Sequence, residues 1–200
     1  MFEINSGPNN IITYTKRNMS PLEPKPDDIS IYDIAHSLSY MCRANGHMRS
    51  FFSVAQHCIN CCYEAKNLGL SERLQLAALL HDASEAYLAD ITRPVKHNLS
   101  RYLEIEKALQ TLIYELFGIG EITDEEQKII DEIDNTMLHH EFLMLADERI
   151  FKEKPELHGE YSFDFRDFKE VESEYLALFN RLSQKLISGG CYGNKIGQKV

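Results

Sequence analysis

The chain carries an adjacent histidine and aspartate, His81 and Asp82, at the end of an apolar helical run. Neighbouring residues on an α-helix point about 100° apart, so these two side chains cannot share one face. Both can nevertheless reach a metal ion that lies over the edge between them. Glu85 follows one helical turn later and is directed to the same place. The segment HDASE therefore predicts a metal site with a carboxylate beside it.

Two more side chains with metal-binding chemistry lie on other predicted helices. His57 belongs to the second helix, and Asp134 lies on the apolar face of the fifth. A carboxylate on an apolar face is unfavourable unless something neutralises it. Taken singly, Asp134 is also explained by a salt bridge or a cap, and His57 by a hydrogen-bonded core histidine. Together with His81 and Asp82 they favour one metal centre of two imidazoles and two carboxylates.

The mixture of imidazole and carboxylate ligands indicates which ions fit this centre. It suits borderline divalent ions such as Zn, Mn, Fe, Co and Ni, and Mg is retained as a further candidate. The sequence leaves open which ion is physiological and how many ions bind. Coordination positions that the protein does not fill would be available to water and substrate.

Helical periodicity dominates the chain from Ser30 onward and predicts an all-α fold, a bundle of six to seven helices. Ser71 is the predicted N-cap of the third helix, and Thr123 with Glu126 forms a predicted capping box for the fifth. The predicted helices cover approximately residues 30–42, 52–68, 71 onward, 100–117, 123–150 and 167–187.

The same pattern divides the chain into three parts. Residues 1–30 carry four prolines and are predicted to form an irregular segment packed on the domain, with IITYT in a small hairpin. Residues 31–187 form the single helical domain, which is long enough to bury a core. Residues 188–200 are predicted to form a flexible tail.

Charge and hydropathy exclude several classes of function. The chain has 21 Lys and Arg against 31 Asp and Glu, a formal net charge of −10. This balance argues against binding of a nucleic-acid polymer, which needs a basic face. No stretch approaches the roughly 20 apolar residues of a membrane helix, and the N-terminus lacks the features of a signal peptide. We therefore expect a soluble, cytoplasmic protein that does not bind a membrane.

The cysteines are odd in number and argue against a disulfide framework. Cys58 and Cys61 have the spacing of half a zinc site, but the sequence holds no second pair at this spacing. Buried free thiols are the favoured interpretation. The five cysteines are Cys42, Cys58, Cys61, Cys62 and Cys191.

The two histidines and two aspartates, in this order, resemble the HD-domain superfamily of metal-dependent phosphohydrolases. The likeness extends upstream to IYDIAHSLSYMCRANGH and SVAQH, and downstream to Asp90 and to TRPVK, which ends at Lys96. These segments are similar to the branch that contains bacterial five-prime deoxynucleotidases and phage deoxyadenosine triphosphohydrolases. The resemblance covers roughly residues 30–145.

The resemblance implies a role for each matching residue. Glu85 would orient or deprotonate the attacking water, and Asp90 would contact the deoxyribose hydroxyl or help to hold a second ion. Arg43 and Lys96 would hold phosphate oxygens. In this branch a Trp commonly follows the phosphate-binding Arg and excludes ribose, whereas Ala44 follows it here. The implied metal ligands are His57, His81, Asp82 and Asp134.

Elementary chemistry supports these roles independently. A metal lowers the pKa of a bound water and polarises a phosphoryl oxygen, and a nearby carboxylate such as Glu85 can accept the proton of that water. Arg43 offers phosphate a planar fork of donors, and Lys96 adds a point charge. The leading hypothesis is a metal-dependent phosphohydrolase that acts on nucleotides, either nucleoside monophosphates or triphosphates, with the deoxy forms favoured.

Two other classes of function are weighed against this hypothesis. The first is a non-catalytic sensor module that keeps the metal and nucleotide pocket, but such a module has no need of a water-activating Glu85. The second is an HD-type di-iron oxygenase, which needs additional inward histidines between the HD pair and the last Asp. Only His97 lies in that interval, so this alternative is disfavoured.

The remaining polar residues have weaker claims. His36 lies on the first predicted helix and is a further candidate for the substrate-binding pocket. Glu141 and Arg93 are polar candidates for which packing is the favoured role. Self-association into a homo-oligomer is usual in the resembling family, and the apolar faces of the fourth and last helices are candidate interfaces or core. The histidines expected at the surface are His97, His139, His140 and His158.

Overall fold

The computed structural model describes residues 7 and 9–188, and in this part the chain is all-α, as the periodicity predicts. Seven α-helices accompany one two-stranded sheet in the described residues. The predicted flexible tail lies outside them, apart from its first residue. The elements are β1 (Ile11–Ile12), β2 (Asn18–Met19), α1 (Ile31–Tyr40), α2 (Val54–Asn67), α3 (Glu72–Leu79), α4 (Arg93–Lys96), α5 (Ser100–Leu116), α6 (Asp124–Leu145) and α7 (Phe168–Ser188).

The N-terminal segment contains the predicted hairpin. Strands β1 and β2 pair antiparallel, and Met19 is fully buried against the helical domain. The carboxylate of Asp33, in the first turn of α1, accepts hydrogen bonds from the backbone N–H of Thr15 at 2.6 Å and from its hydroxyl at 2.8 Å. The hairpin is therefore fixed to the start of the bundle.

The predicted caps set where two of the helices begin. The Ser71 hydroxyl accepts from the Leu74 N–H at 3.3 Å, and α3 starts at the next residue. Thr123 and Glu126 form the reciprocal capping box at the start of α6, with contacts of 3.2 and 3.0 Å. Each contact satisfies a backbone N–H that has no partner within the helix.

Helix α2 is the centre of the bundle, because α1, α3, α6 and α7 all pack around it. The apolar face of α7 is core: Tyr175 is fully buried, and its hydroxyl donates to the Leu79 carbonyl at 2.9 Å. The thiols predicted to be free and buried are so for Cys58, Cys61 and Cys62. No helix in the described part of the chain combines the length and apolarity that crossing a membrane requires.

Two expectations about α6 are wrong. It ends at Leu145 rather than near residue 150, and Asp147 follows with a left-handed φ of 60°. The segment 146–167 then folds back over the helix. As a result His139 and His140 are buried, not exposed at the surface. His139 Nδ1 accepts from the N–H of Phe151 at 3.2 Å, and His140 Nε2 contacts the carbonyl oxygen of Pro155 at 2.9 Å.

Candidate metal centre

The HD pair lies in a break between two helical segments. Helix α3 ends at Leu79, and Glu85 lies in the separate 3-10 turn 83–86, not on one continuous helix. Gln110 on α5 bridges the two sides of this break. Gln110 donates to the Leu80 carbonyl at 2.7 Å and accepts from the Ser84 N–H at 3.1 Å. The positions of His81 and Asp82 thus depend on a contact between α5 and the turn.

The donor atoms of the four predicted ligands converge on one point. His57 Nε2, on α2, lies 3.2 Å from His81 Nε2, 3.8 Å from Asp82 Oδ2 and 3.2 Å from Asp134 Oδ1 on α6. His81 Nε2 lies 3.3 Å from the same Asp82 oxygen and 3.9 Å from the same Asp134 oxygen. Atoms about 2.1 Å from a shared ion are spaced about 3.0–3.4 Å apart. The four side chains therefore fit a divalent ion.

The other nitrogen of each imidazole is held by an oxygen acceptor. His57 Nδ1 lies 2.5 Å from Glu141 Oε1, and His81 Nδ1 lies 2.8 Å from the Ala78 carbonyl oxygen. A carboxylate or carbonyl can only accept, so each Nδ1 carries a hydrogen, and in the neutral imidazole each Nε2 presents its lone pair to the centre. Such outer partners orient metal ligands and make them more basic.

Glu141, named from the sequence only as a polar candidate with packing as its favoured role, lies at the centre. It is fully buried and also accepts from Arg43 Nε at 2.8 Å. Glu141 lies seven residues after Asp134 on α6, which is two helical turns along the same face. That spacing is the signal that pairs it with the centre.

Two thiols of α2 also approach the centre. Cys61 forms a cluster with His57 and His81, and Cys58 forms one with His81 and Asp82, each with donor atoms within 4.8 Å of one another. Burial raises the pKa of the Cys58 thiol and so favours its neutral form, which is a poor metal ligand. The His81 imidazole and the Asp82 carboxylate are therefore better donors than the Cys58 thiol.

Arg43 is the cation of the centre. Its side chain is buried, and its Nη2 lies 3.2 Å from Asp134 Oδ1 and its Nη1 3.5 Å from Asp82 Oδ2. Arg43 lies in the loop that joins α1 to α2. A hydrogen bond from the backbone N–H of Arg43 to the carbonyl oxygen of Phe52, at 2.9 Å, closes this loop. The structure thus places Arg43 beside the four predicted ligands, where its guanidinium contacts the carboxylates of Asp82 and Asp134 themselves.

Glu85 lies beside the centre with one oxygen lacking a partner. The residue is 4% exposed, and Lys96 Nζ donates to its Oε1 at 3.3 Å, while Oε2 is buried without a hydrogen bond in the described part of the chain. Burial, reinforced by the charges of Asp82 and Asp90, raises the pKa of Glu85 well above its usual value. This carboxyl is therefore suited to taking up a proton.

A cavity of about 410 Å³ opens beside these residues. Asp90 lines it, and its Oδ2 accepts from the backbone N–H of Ala44 at 3.1 Å. Ala44 has a left-handed φ of 54° and presents only a methyl group to the cavity. Arg93 lines it too and donates to Asp134 Oδ2 at 3.2 Å. The lining residues are Arg43, Ala44, Asp82, Glu85, Asp90, Ile91, Thr92, Arg93, Pro94, Lys96, Asp134, Leu138, Phe142 and Ile150.

The expectation that His36 faces this pocket is wrong. Its ring stacks on Tyr14 with centroids 3.7 Å apart, and its Nδ1 lies 3.1 Å from Glu172 Oε2 on α7. It lines a separate cavity of about 220 Å³ against the N-terminal hairpin. Helix α1 presents this residue to the hairpin and α7, because its other face packs into the core.

Proton competition should control metal affinity. Burial and Arg43 disfavour a charged His57, yet neighbouring anions such as Glu141 outweigh them and raise its pKa. Burial likewise opposes a raised pKa at His81, and Asp82 outweighs it. Metals bind the neutral imidazole, so binding must release protons below these raised pKa values and strengthen as the pH rises.

We expect the affinity for Mn²⁺ or Zn²⁺ to increase continuously between about pH 5.5 and 8.5, with about one to two protons released per ion. Calorimetry in buffers of different ionisation enthalpy measures both quantities. His36→Gln is the control, because this histidine lies outside the centre. An affinity that does not change with pH would contradict the prediction.

Comparison with known proteins gives relatives without an assigned activity. No protein-family model matches the chain. It is 37% identical over 123 residues to "Uncharacterized protein YfdR" of Escherichia coli (strain K12), and this alignment covers 62% of the chain and 61% of the relative. It is 39% identical over 108 residues to "Uncharacterized protein RCAP_rcc00048" of Rhodobacter capsulatus, covering 52% and 55%. The chain thus spans less than two thirds of these relatives.

Proposed function

We propose that this chain is a metal-dependent phosphohydrolase of the HD-domain type and that its substrates are nucleotides. One observation carries the proposal. Each imidazole Nε2 of His57 and His81 lies 3.2–3.9 Å from the other and from one carboxylate oxygen each of Asp82 and Asp134. The buried Glu85 lies beside them, with one carboxylate oxygen that makes no hydrogen bond to the described residues. The sequence resemblance described above points in the same direction.

The ligand set fits a divalent ion by its chemistry as well as by its spacing. Both imidazoles direct their Nδ1–H away from the centre. Burial would raise the pKa values of Asp82 and Asp134, but the contact with His81 outweighs it at Asp82 and the contact with His57 outweighs it at Asp134. Both carboxylates therefore have lowered pKa values and are ready to bind a cation. A divalent ion bound here would polarise a phosphoryl oxygen and lower the pKa of a water molecule.

The residues of this chain supply the rest of the reaction. Glu85 takes a proton from the water molecule. The water oxygen attacks phosphorus, and the bond between phosphorus and the sugar oxygen breaks. Lys96, 3.3 Å from the carboxylate, steadies the Glu85 side chain before it accepts the proton. The proton passes to the leaving sugar oxygen, so the net reaction is hydrolysis and no further reactant is needed.

The phosphate and sugar ends of the substrate meet different residues. Arg43, Arg93 and Lys96 place three cations around the cavity, which suits an anionic phosphoryl group. Asp90 is anchored through Oδ2, and its Oδ1, which has no hydrogen bond to the described residues, could accept from a sugar hydroxyl. Ala44 leaves space where the resembling branch has a Trp, so both ribo- and deoxyribonucleotides are expected substrates.

A metal and substrate screen tests the proposal. The purified protein is analysed for bound metals, and then incubated with nucleoside mono- and triphosphates and each of Mn²⁺, Co²⁺, Zn²⁺, Fe²⁺, Ni²⁺ and Mg²⁺. We expect nucleoside to appear with phosphate from a monophosphate, or with tripolyphosphate from a triphosphate. Absence of hydrolysis under every combination would refute the enzyme assignment.

A further inference from the structure

The cavity has a polar end and an apolar end, and helix α6 runs along both. Asp134 marks the metal centre, Leu138 follows one turn later, and Phe142 follows one turn after that on the same face. With a rise of 1.5 Å per residue, Phe142 lies about 12 Å along the helix from Asp134. Ile150, from the segment that folds back over α6, lines the same cavity.

The residues of the apolar end are not fully covered by the protein. Leu138 and Phe142 are partly exposed, and Ile150 is 40% exposed. Other apolar residues on α6, such as Met137, are buried in the core. The three side chains thus form an apolar surface that is continuous with the polar centre and open to a ligand.

We propose that Leu138, Phe142 and Ile150 form the subsite for the base of the nucleotide substrate, with the phosphate held at the metal centre. This inference rests on the proposed function. The two ends of the cavity suit the two ends of a nucleotide: the polar end carries cations and the candidate metal ligands for the phosphate, and the apolar end offers a surface with an aromatic ring for the base.

The chemistry of this end fits a planar heteroaromatic ring better than another polar group. A base stacks on an aromatic side chain through its π-face and needs no hydrogen bond to do so. A second phosphate or a charged group would be desolvated there without a partner, which is unfavourable. The subsite therefore distinguishes nucleotides from sugar phosphates that lack a base.

Equilibrium binding tests the subsite without requiring turnover. Calorimetry at saturating Mn²⁺, with Glu85→Gln as the parent protein so that neither ligand is hydrolysed, compares adenosine 5′-monophosphate with ribose 5-phosphate, which has the same phosphate and sugar but no base. We expect this parent to bind the nucleotide at least about tenfold more tightly than ribose 5-phosphate, since stacking on one aromatic ring contributes an effect of this size. Phe142→Ala should remove most of this preference and leave binding of ribose 5-phosphate unchanged.

Ile150→Ser is a second variant, chosen because its side chain is exposed in an irregular segment and its replacement does not disturb a helix. It should also reduce the preference for the nucleotide. Met144→Ala is the control, since Met144 lies on α6, is 61% exposed and does not line the cavity. A parent protein that binds both ligands equally, or neither, overturns the subsite, as does an equal loss for both ligands when Phe142→Ala is added.

The binding result is separable from the screen for activity. A nucleotide preference that depends on Phe142, in a protein without hydrolytic activity, would retain the subsite and refute the enzyme. Hydrolysis with equal efficiency for nucleotide and ribose 5-phosphate would do the reverse.

Discussion

Replacing Glu85 with glutamine should lower kcat by roughly 10²–10⁴-fold, the usual contribution of a positioned general base. Glutamine has the same shape and retains an oxygen that can accept from Lys96, but it cannot take up a proton. Burial already raises the pKa of Glu85, so the wild-type carboxyl holds a proton at higher pH than an exposed one. Metal content and nucleotide binding should be unchanged, because Glu85 is not among the four converging donors.

Single-turnover kinetics together with calorimetry separate these two effects. Glu104→Gln, the same change at an exposed position of α5, is the control and should leave both quantities unaltered. Retained turnover in Glu85→Gln would exclude it as the base. A non-catalytic sensor would show no turnover in any variant, so the wild-type rate distinguishes that alternative.

Replacing Arg43 with methionine should strengthen metal binding, by about tenfold or more, while weakening the binding of inorganic phosphate. The guanidinium contacts Asp82 and Asp134 at 3.5 and 3.2 Å, and a divalent ion would share those same carboxylates. Two cations at such separations repel each other strongly in a partly desolvated site. Removing the arginine therefore relieves the competition for the metal, but it also removes a donor for the phosphoryl group.

Calorimetry with Mn²⁺, followed by phosphate titration at saturating metal, measures both changes. Arg49→Met is the matched control, because Arg49 forms an exposed ion pair with Asp147. Thermal denaturation of Arg43→Met checks that the buried site still folds. Weaker metal binding in a folded variant would show that Arg43 chiefly holds the ligand carboxylates in position.

The helices could be predicted because they depend on local pattern, whereas the convergence of the four side chains is expected from their combined donor chemistry and from the family resemblance. Periodicity and caps fix the helices, as at Ser71 and Thr123. A polar residue that lies on the apolar face of a predicted helix, such as His57 or Asp134, is expected to point inward. Such information is contained in stretches of fewer than about 20 residues.

The remaining features depend on contacts between distant segments. From the sequence, packing is the favoured role of Glu141, because its contact with His57 depends on how α2 packs against α6. His36 is predicted to face the pocket, because the sequence does not show that the hairpin packs against it. His139 and His140 are polar residues near a helix end, and their burial follows from an irregular segment that has no periodicity to detect. The break after Leu79 likewise depends on Gln110, a residue of another helix.

The origin of the ligands in separate elements has a consequence for biosynthesis. The turn with His81 and Asp82 is fixed by Gln110 of α5, and Asp134 is translated later still. Because domains are synthesised from the N-terminus, a ribosome-bound chain lacks a complete ligand set until α6 has emerged. Coordination of an ion by all four residues would therefore be possible only late in synthesis, and intermediates stalled before that stage would present two histidines and one aspartate to whichever metal is most abundant.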